Sequence, residues 1–259
     1  GLMRDLKGVT SFGHIEDDAA SGLSTYLRPK GVVAAIVPST NPLATPVNNM
    51  INALKTGNAI ILAPSPKGVK PLQTLLGHIL PALREVGVPD NLVQMVPVPP
   101  SKPKTERLMQ LADMVLVTGS QANVRAGYSS GTPAIGVGAG NVVTIVDETA
   151  DIDAAAARIA ASKTIDNATS CSSENAVVVV DAVRERLLEA MAREGGMLLD
   201  AAQTAALEAM HWHGGKLTPR LLAKDIDIVL AETGLADTAP DGTRFLIAPQ
   251  TGIGADHPM

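Results

Sequence analysis

Few residues in this chain have the type and setting to do chemistry. Its one cysteine, Cys171, lies in Thr169-Ser-Cys-Ser-Ser173, with small hydroxyl side chains on both sides and the apolar run AVVVV at 176–180 close behind. A cysteine packed in a core behaves as a small hydrophobe. A cysteine in a loop of hydroxyls and backbone amides is better suited to hold a thiolate, and a strand behind the loop could aim it. The residues leave both readings open. An ordinary thiol is only about 3% ionised at pH 7, so a nucleophilic role would need help from neighbouring groups.

Other candidates carry weaker signals. Thr118-Gly119-Ser120 lies between an apolar run and a helical pattern, where amides at a helix start could receive a phosphate. Ser120 is also an N-cap, and the two roles are compatible. GVGAGN at 136–141 looks like a dinucleotide fingerprint, but Asn141 leads into VVTIV and not into a helix. It reads as a glycine-lined approach of the backbone or as a bulge. Gly127-Tyr-Ser129-Ser-Gly131 spells a nucleophile elbow, yet its order is helix, turn, strand where an elbow needs strand, turn, helix. His211 and His213, two apart, would diverge around a helix axis with no third ligand nearby, so no metal site is expected.

These candidates must be held by a framework, and the pattern from residue 31 onward supplies one. Apolar runs at 31–38, 58–64, 92–98, 114–119 and 134–138 read as buried strands. Helical patterns alternate with them. One follows Thr45 as N-cap with Pro46 at its first position and stops at Gly57, a second covers 71–86 with a kink at Pro81, and others lie near 104–112 and 121–128. Repeated βα units with wholly apolar strands predict a doubly wound, Rossmann-like parallel sheet, which binds ligands beyond the carboxyl ends of its strands. An Ala-rich helix at 151–165 opens a second α/β domain, with a strand at 176–180, helices at 182–194, 200–210 and 218–232, and a strand at 245–248. The domains are placed at 1–146 and 147–259.

Composition excludes several classes. The 259 residues carry 21 basic and 26 acidic side chains, a net charge of −5, which argues against a nucleic-acid binder. Only five aromatic residues are present, too few for base-stacking platforms. A single cysteine rules out a disulfide framework. The longest uncharged stretch, 31–54, holds three prolines and four asparagines and is a poor membrane span; the N-terminus lacks an apolar signal core. A soluble, cytoplasmic protein is expected.

In order along the chain, IVPSTNP (36–42), AIILAPSPKG (59–68), LVTGS (116–120), YSSGTPAIGVGAGN (128–141), IVDETADI (145–152) and the cysteine loop (167–175) resemble the aldehyde dehydrogenase superfamily. The likeness is to its CoA-acylating branch, above all to acylating sulfoacetaldehyde dehydrogenases and next to the acylating half of bifunctional aldehyde/alcohol dehydrogenases. It implies an aldehyde dehydrogenase-like fold that continues beyond both ends of this chain, and a homo-oligomer at full length. It implies that an aldehyde and CoA become acyl-CoA while NAD or NADP is reduced, the aldehyde being sulfoacetaldehyde, acetaldehyde or another small one.

The same resemblance assigns roles. Cys171 becomes the nucleophile and Asn41 the oxyanion donor, together with the Cys171 amide. Pro38, Ser39, Thr40 and Gly138 lie by the nicotinamide, Pro64 and Ser65 by the adenosine ribose, and Thr118, Gly119 and Ser120 by the pyrophosphate. Hydrolytic relatives carry a glutamate base where Gly136 stands, and often a ribose-binding lysine where Ala63 stands. For a sulfonate, Arg125 and Lys163 are available by composition only, not by the resemblance. A silent scaffold of the same fold is the alternative from another class.

Overall fold

The computed structural model describes residues 1–138, 140–213, 216–218, 220–252 and 254. The chain forms two compact units, 1–139 and 140–259.

The first unit begins with a short helix α1 (Leu2–Asp5) and an antiparallel hairpin of β1 (Gly13–Asp18) and β2 (Leu23–Leu27), every residue of which is exposed. Four βα repeats and a closing strand follow: β3 (Val32–Val37), α2 (Ala44–Lys55), β4 (Ala59–Pro64), α3 (Val69–Glu85), β5 (Val93–Met95), α4 (Lys102–Leu111), β6 (Met114–Thr118), α5 (Gln121–Tyr128) and β7 (Ala134–Val137). All the pairings are parallel, in the order β5-β4-β3-β6-β7. This is the doubly wound order, with its reversal between β3 and β6.

Alternation along β3 explains why both faces are covered. Val33, Ala35 and Val37 pack with Met50, Leu62, Leu72 and Leu76, the side of α2 and α3. Ala34 and Ile36 pack with Met109, Val115 and Val117, the side of α4. A strand buried on both faces has no polar register, which is why its sequence is a continuous apolar run.

Several local details differ from the sequence pattern. Helix α2 opens at Ala44, so Thr45 is not its N-cap; Pro46 falls in the first turn, where a missing N–H costs nothing. Strand β5 is only Val93–Met95, because the prolines that follow have no N–H to donate to a ladder. Helix α3 continues through Pro81, with Pro81 and Gly77 both exposed, so the carbonyl that loses its partner has access to solvent.

The second unit starts with β8 (Val142–Val146), then α6 (Ile152–Thr164), β9 (Glu174–Val179), α7 (Asp181–Arg193), β10 (Gly196–Leu198), α8 (Ala201–His211), the short strands β11 (Trp212–His213) and β12 (Lys216–Leu217), α9 (Ile226–Thr233) and β13 (Phe245–Ile247). The division falls before β8 and not at 146, because β8 pairs in parallel with β9. Helix α6 is rich in alanine and packs with α7 in a core of Val146, Ala156, Ala160, Leu187, Met191 and Phe245. The helix expected over 218–232 is confined to α9, since Ala223 adopts a left-handed φ of 56° upstream of it. The opposite face of the β8–β9 pair is uncovered: Val143, Ile145 and Val178 are all exposed. Among the described residues, no helix is long and apolar enough to cross a membrane.

Candidate active site

Parallel strands end together, and that fact alone collects most of the residues singled out for a nucleotide. Pro38, Ser39 and Thr40 follow β3; Pro64 ends β4 and Ser65 follows it; Thr118 ends β6 with Gly119 and Ser120 next; Gly138 follows β7. All therefore lie at the carboxyl edge of one sheet, on both sides of the β3–β6 reversal. Contacts tie these loops to each other. A Cβ placed on Gly68, in the 3₁₀ turn Pro66–Gly68 after β4, would lie 3.4 Å from Pro42 in the loop after β3. One placed on Gly138 would lie 2.8 Å from the Gln121 amide at the start of α5.

Individual groups are already assigned to structural partners. Ser120 Oγ accepts from the Asn123 N–H at 3.3 Å and caps α5. The Gly119 N–H donates to Val137 O at 3.0 Å, so that amide belongs to the sheet and is not available to a phosphate. The first N–H groups of α5, at Gln121 and Ala122, have no partner among the described residues and can receive an anion. Ser65 Oγ accepts from the Gly68 N–H at 3.3 Å and fixes the turn after β4.

Asn41, in the same loop as Ser39, is exposed, and its Oδ1 accepts from the Ala44 N–H at 3.1 Å. The acceptor end of the amide thus closes the start of α2. Its donor end has no acceptor among the described residues, which suits a group meant to donate to a developing oxyanion.

This region also has a charge pattern. From residue 19 to residue 84 there is no aspartate or glutamate, while Arg28, Lys30, Lys55, Lys67, Lys70 and Arg84 are all present. The segment contains β3, α2, β4 and all of α3 except its last residue, Glu85. In a chain of net charge −5 it is a sizeable positive region, suited to polyanionic ligands. The signal was legible as a run without carboxylates.

Gly136 sits mid-strand in β7, and its N–H donates to the Tyr128 hydroxyl at 3.0 Å. A Cβ there would lie 2.6 Å from Val124 Cγ1 and 3.0 Å from the Tyr128 ring. A larger side chain there requires the Val124 and Tyr128 side chains to move. Ser129 is the exposed C-cap of α5, and no histidine hydrogen-bonds to it among the described residues.

Cys171 belongs to the second unit, on the loop between α6 and β9, and its side chain is exposed. It is not a core hydrophobe. The loop is built from an unusual run: Asp166, Asn167 and Ala168 have φ of 49°, 51° and 58°. Asparagine and aspartate tolerate this left-handed region, but alanine does so at a cost of about 1–2 kcal/mol. Short hydrogen bonds hold the run. Thr169 Oγ1 donates to Asp166 O at 2.5 Å, Asn167 Nδ2 to Asp225 Oδ1 at 2.8 Å, and the Ser173 N–H to Ser170 O at 3.1 Å. Ser170 and Ser172 hydroxyls, on either side of the thiol, pair at 2.8 Å. Ser173 is buried and directly precedes β9.

Behind the loop, Lys163 Nζ donates to Asn175 Oδ1 at 3.0 Å. Burial pulls the Lys163 ammonium below its usual range, and the Glu174 charge opposes that pull. Glu174 Oε2 is buried with no hydrogen-bond partner among the described residues. Lys163 is therefore committed to its neighbours, and a sulfonate near it would meet Glu174. Arg125, exposed on α5, is the other cation considered for that role. His211 ends α8 with a ring nitrogen 3.3 Å from Leu207 O, and no group of three metal-ligating residues forms among the described residues.

Comparison with known proteins gives this arrangement a setting. A model of the aldehyde dehydrogenase family matches residues 1–198. Over 259 residues the chain is 51% identical to a sulfoacetaldehyde dehydrogenase (acylating) from Cupriavidus necator, covering 100% of this chain and 52% of that protein. It is 40% identical over 252 residues to the enzyme of the same name from Bilophila wadsworthia, covering 95% of this chain and 54% of that one. Among solved structures, an acetylating aldehyde dehydrogenase from Geobacillus thermoglucosidasius superposes with a TM-score of 0.91 at 30% identity, covering 98% of this chain and 56% of the other. A Rhodopseudomonas palustris propionaldehyde dehydrogenase with bound propionyl-CoA gives a TM-score of 0.84 at 28% identity, over 95% and 54% of the two chains. The chain spans about half the length of the curated relatives it matches.

Proposed function

The chain belongs to the aldehyde dehydrogenase family, and from that premise we propose that it carries the nucleophile and nucleotide-binding residues of a CoA-acylating aldehyde dehydrogenase. The observation that carries the reading is Cys171, the only thiol of the chain, exposed on a loop held by its own hydrogen bonds. As thiolate, its Sγ attacks the aldehyde carbon and the carbonyl oxygen takes up the negative charge. Asn41 Nδ2 and the Cys171 N–H are the donors assigned to that oxygen; one such donor is worth roughly 10²–10³ in rate. NAD or NADP, when bound, supplies the acceptor for the hydride that must leave the thiohemiacetal carbon. The resulting thioester on Cys171 is opened by the CoA thiol, which leaves as acyl-CoA and restores the cysteine.

The residues present fit such a nucleotide. Pro38, Ser39, Thr40, Pro64, Ser65, Thr118, Ser120 and Gly138 share one edge of the sheet, beside free amides of α5 and a segment without carboxylates. Gly119 shapes the turn while its N–H serves the sheet. Gly136 supports transfer to a thiol in preference to water. Glycine supplies no carboxylate base, and a thiol, partly ionised near neutrality, needs that base less than water does.

Sulfoacetaldehyde is the aldehyde assigned, after the names of the relatives, with acetaldehyde as the competing small substrate. The reading also carries a cytoplasmic location and a homo-oligomeric whole protein. Its test is a kinetic comparison of the two aldehydes with and without CoA. A burst of reduced nicotinamide with aldehyde alone, and turnover only on adding CoA, is expected. Equal turnover without CoA would mean hydrolysis and would overturn the reading.

A further inference from the structure

Nucleotides that serve this chemistry come with and without a phosphate monoester on the adenosine ribose, and the region beyond β4 bears on that choice. In a doubly wound sheet the strand next to the one at the reversal ends on the group that reads the adenosine ribose, commonly a carboxylate that bonds its hydroxyls. Here that strand is β4, next to β3, and the residues after it are Ser65, Pro66, Lys67 and Gly68, with Lys70 in the first turn of α3. No carboxylate occurs between residues 19 and 84. Lys67 and Lys70 are both exposed, and neither forms an ion pair among the described residues. The turn that bears Lys67 is fixed by the Ser65–Gly68 hydrogen bond, and Gly68 packs beside Pro42, so it abuts the loop that carries Ser39 and Thr40.

We infer that Lys67, with Lys70 in support, is a specificity-determining residue that recognises a phosphate monoester on the adenosine ribose of the incoming nucleotide. The inference rests on the nucleotide reading above and adds the chemical class of ligand to it. Two ligands carry that group: NADP⁺ at the ribose 2′ position and CoA at the 3′ position. A ribose without phosphate would leave both ammonium groups unpaired, and nothing here offers a carboxylate to its hydroxyls. Contacts to an ionised phosphate are among the stronger hydrogen bonds a protein makes, and they weaken with salt.

Direct binding to the whole chain, by calorimetry or fluorescence, tests this without any need for turnover. NADP⁺ is compared with NAD⁺, and CoA with 3′-dephospho-CoA, for the native chain and for Lys67→Ala, Lys70→Ala and Lys67→Glu. The expected result is that the phosphorylated member of one pair binds roughly tenfold or more tightly. Lys67→Ala should remove most of that preference and Lys70→Ala part of it, Lys67→Glu should reverse it, and the affinity for the unphosphorylated member should stay the same. The pair that shows the effect identifies the source of the phosphate. Equal affinities within both pairs, or a preference that survives Lys67→Ala, would overturn the inference while leaving the dinucleotide reading in place. Binding of none of the four would overturn both.

Discussion

The two units hold their functional residues by different means. In the first, every residue proposed to face a nucleotide sits where a strand stops, and the sheet beneath is packed on both faces. Position there is a by-product of the fold. In the second, the cysteine sits on a loop with three consecutive left-handed residues, and the strand pair behind it is packed on only one face. Position there is maintained against local backbone preference by hydrogen bonds from Thr169, Asn167 and Ser173. A site for binding many atoms of a cofactor can be spread over a rigid edge. A single nucleophilic atom depends on one loop, and such strained loops recur where a reactive group must be held in one orientation.

The largest stability contrast between the units should come from truncating isoleucines on their sheets. Ile60, in β4, is fully buried, and Ile60→Ala should cost about 2–5 kcal/mol in urea unfolding. Ile145, in β8, is 75% exposed, and Ile145→Ala should fall within about 0.5 kcal/mol of the native chain. Equal losses would mean that the β8–β9 face is covered in solution and that the contrast is false.

The loop itself offers a smaller effect of opposite sign. Ala168→Gly removes a Cβ from a residue with φ of 58°. The relief, less the greater freedom of glycine in the unfolded chain, should stabilise by about 0.5–1 kcal/mol. A loss of stability would show that the run is not strained and would weaken the distinction drawn between loop and strand edge.

The smallest effect concerns pH. Burial lowers the Lys163 pKa in the folded state relative to the unfolded chain, so folding disfavours the charged form. The sign follows from linkage: below the lowered pKa the cost is fully present, and it is relieved as pH rises through that value toward the ordinary lysine range. Stability of the native chain should therefore gain in the alkaline range relative to Lys163→Met, measured as the difference in urea midpoints between neutral and strongly alkaline pH. A difference that does not change with pH would place Lys163 in water.

Much of the first unit was legible because its strands are buried on both faces and read as unbroken apolar runs between glycine and proline stops. The second unit was less legible. Its first strand, VVTIV, follows the glycines of 136–140 so closely that it reads as the tail of the first domain, and only the pairing with β9 reassigns it. The left-handed run could not be read, since Ala168 carries no sign of it. Asn41 could be singled out by its motif, but only coordinates show that its oxygen belongs to Ala44 and its nitrogen remains available. The role proposed for Lys67 and Lys70 depends on β4 lying next to β3, which their place in the sequence does not show.

Intact-protein mass spectrometry on the chain mixed with sulfoacetaldehyde and NAD⁺ or NADP⁺, without CoA, addresses the central assignment most directly. One acyl group should accumulate, map to the peptide containing Cys171, disappear on adding CoA, and be absent from Cys171→Ala. An adduct on another residue, or one that forms equally in Cys171→Ala, would contradict the assignment of this thiol as the nucleophile.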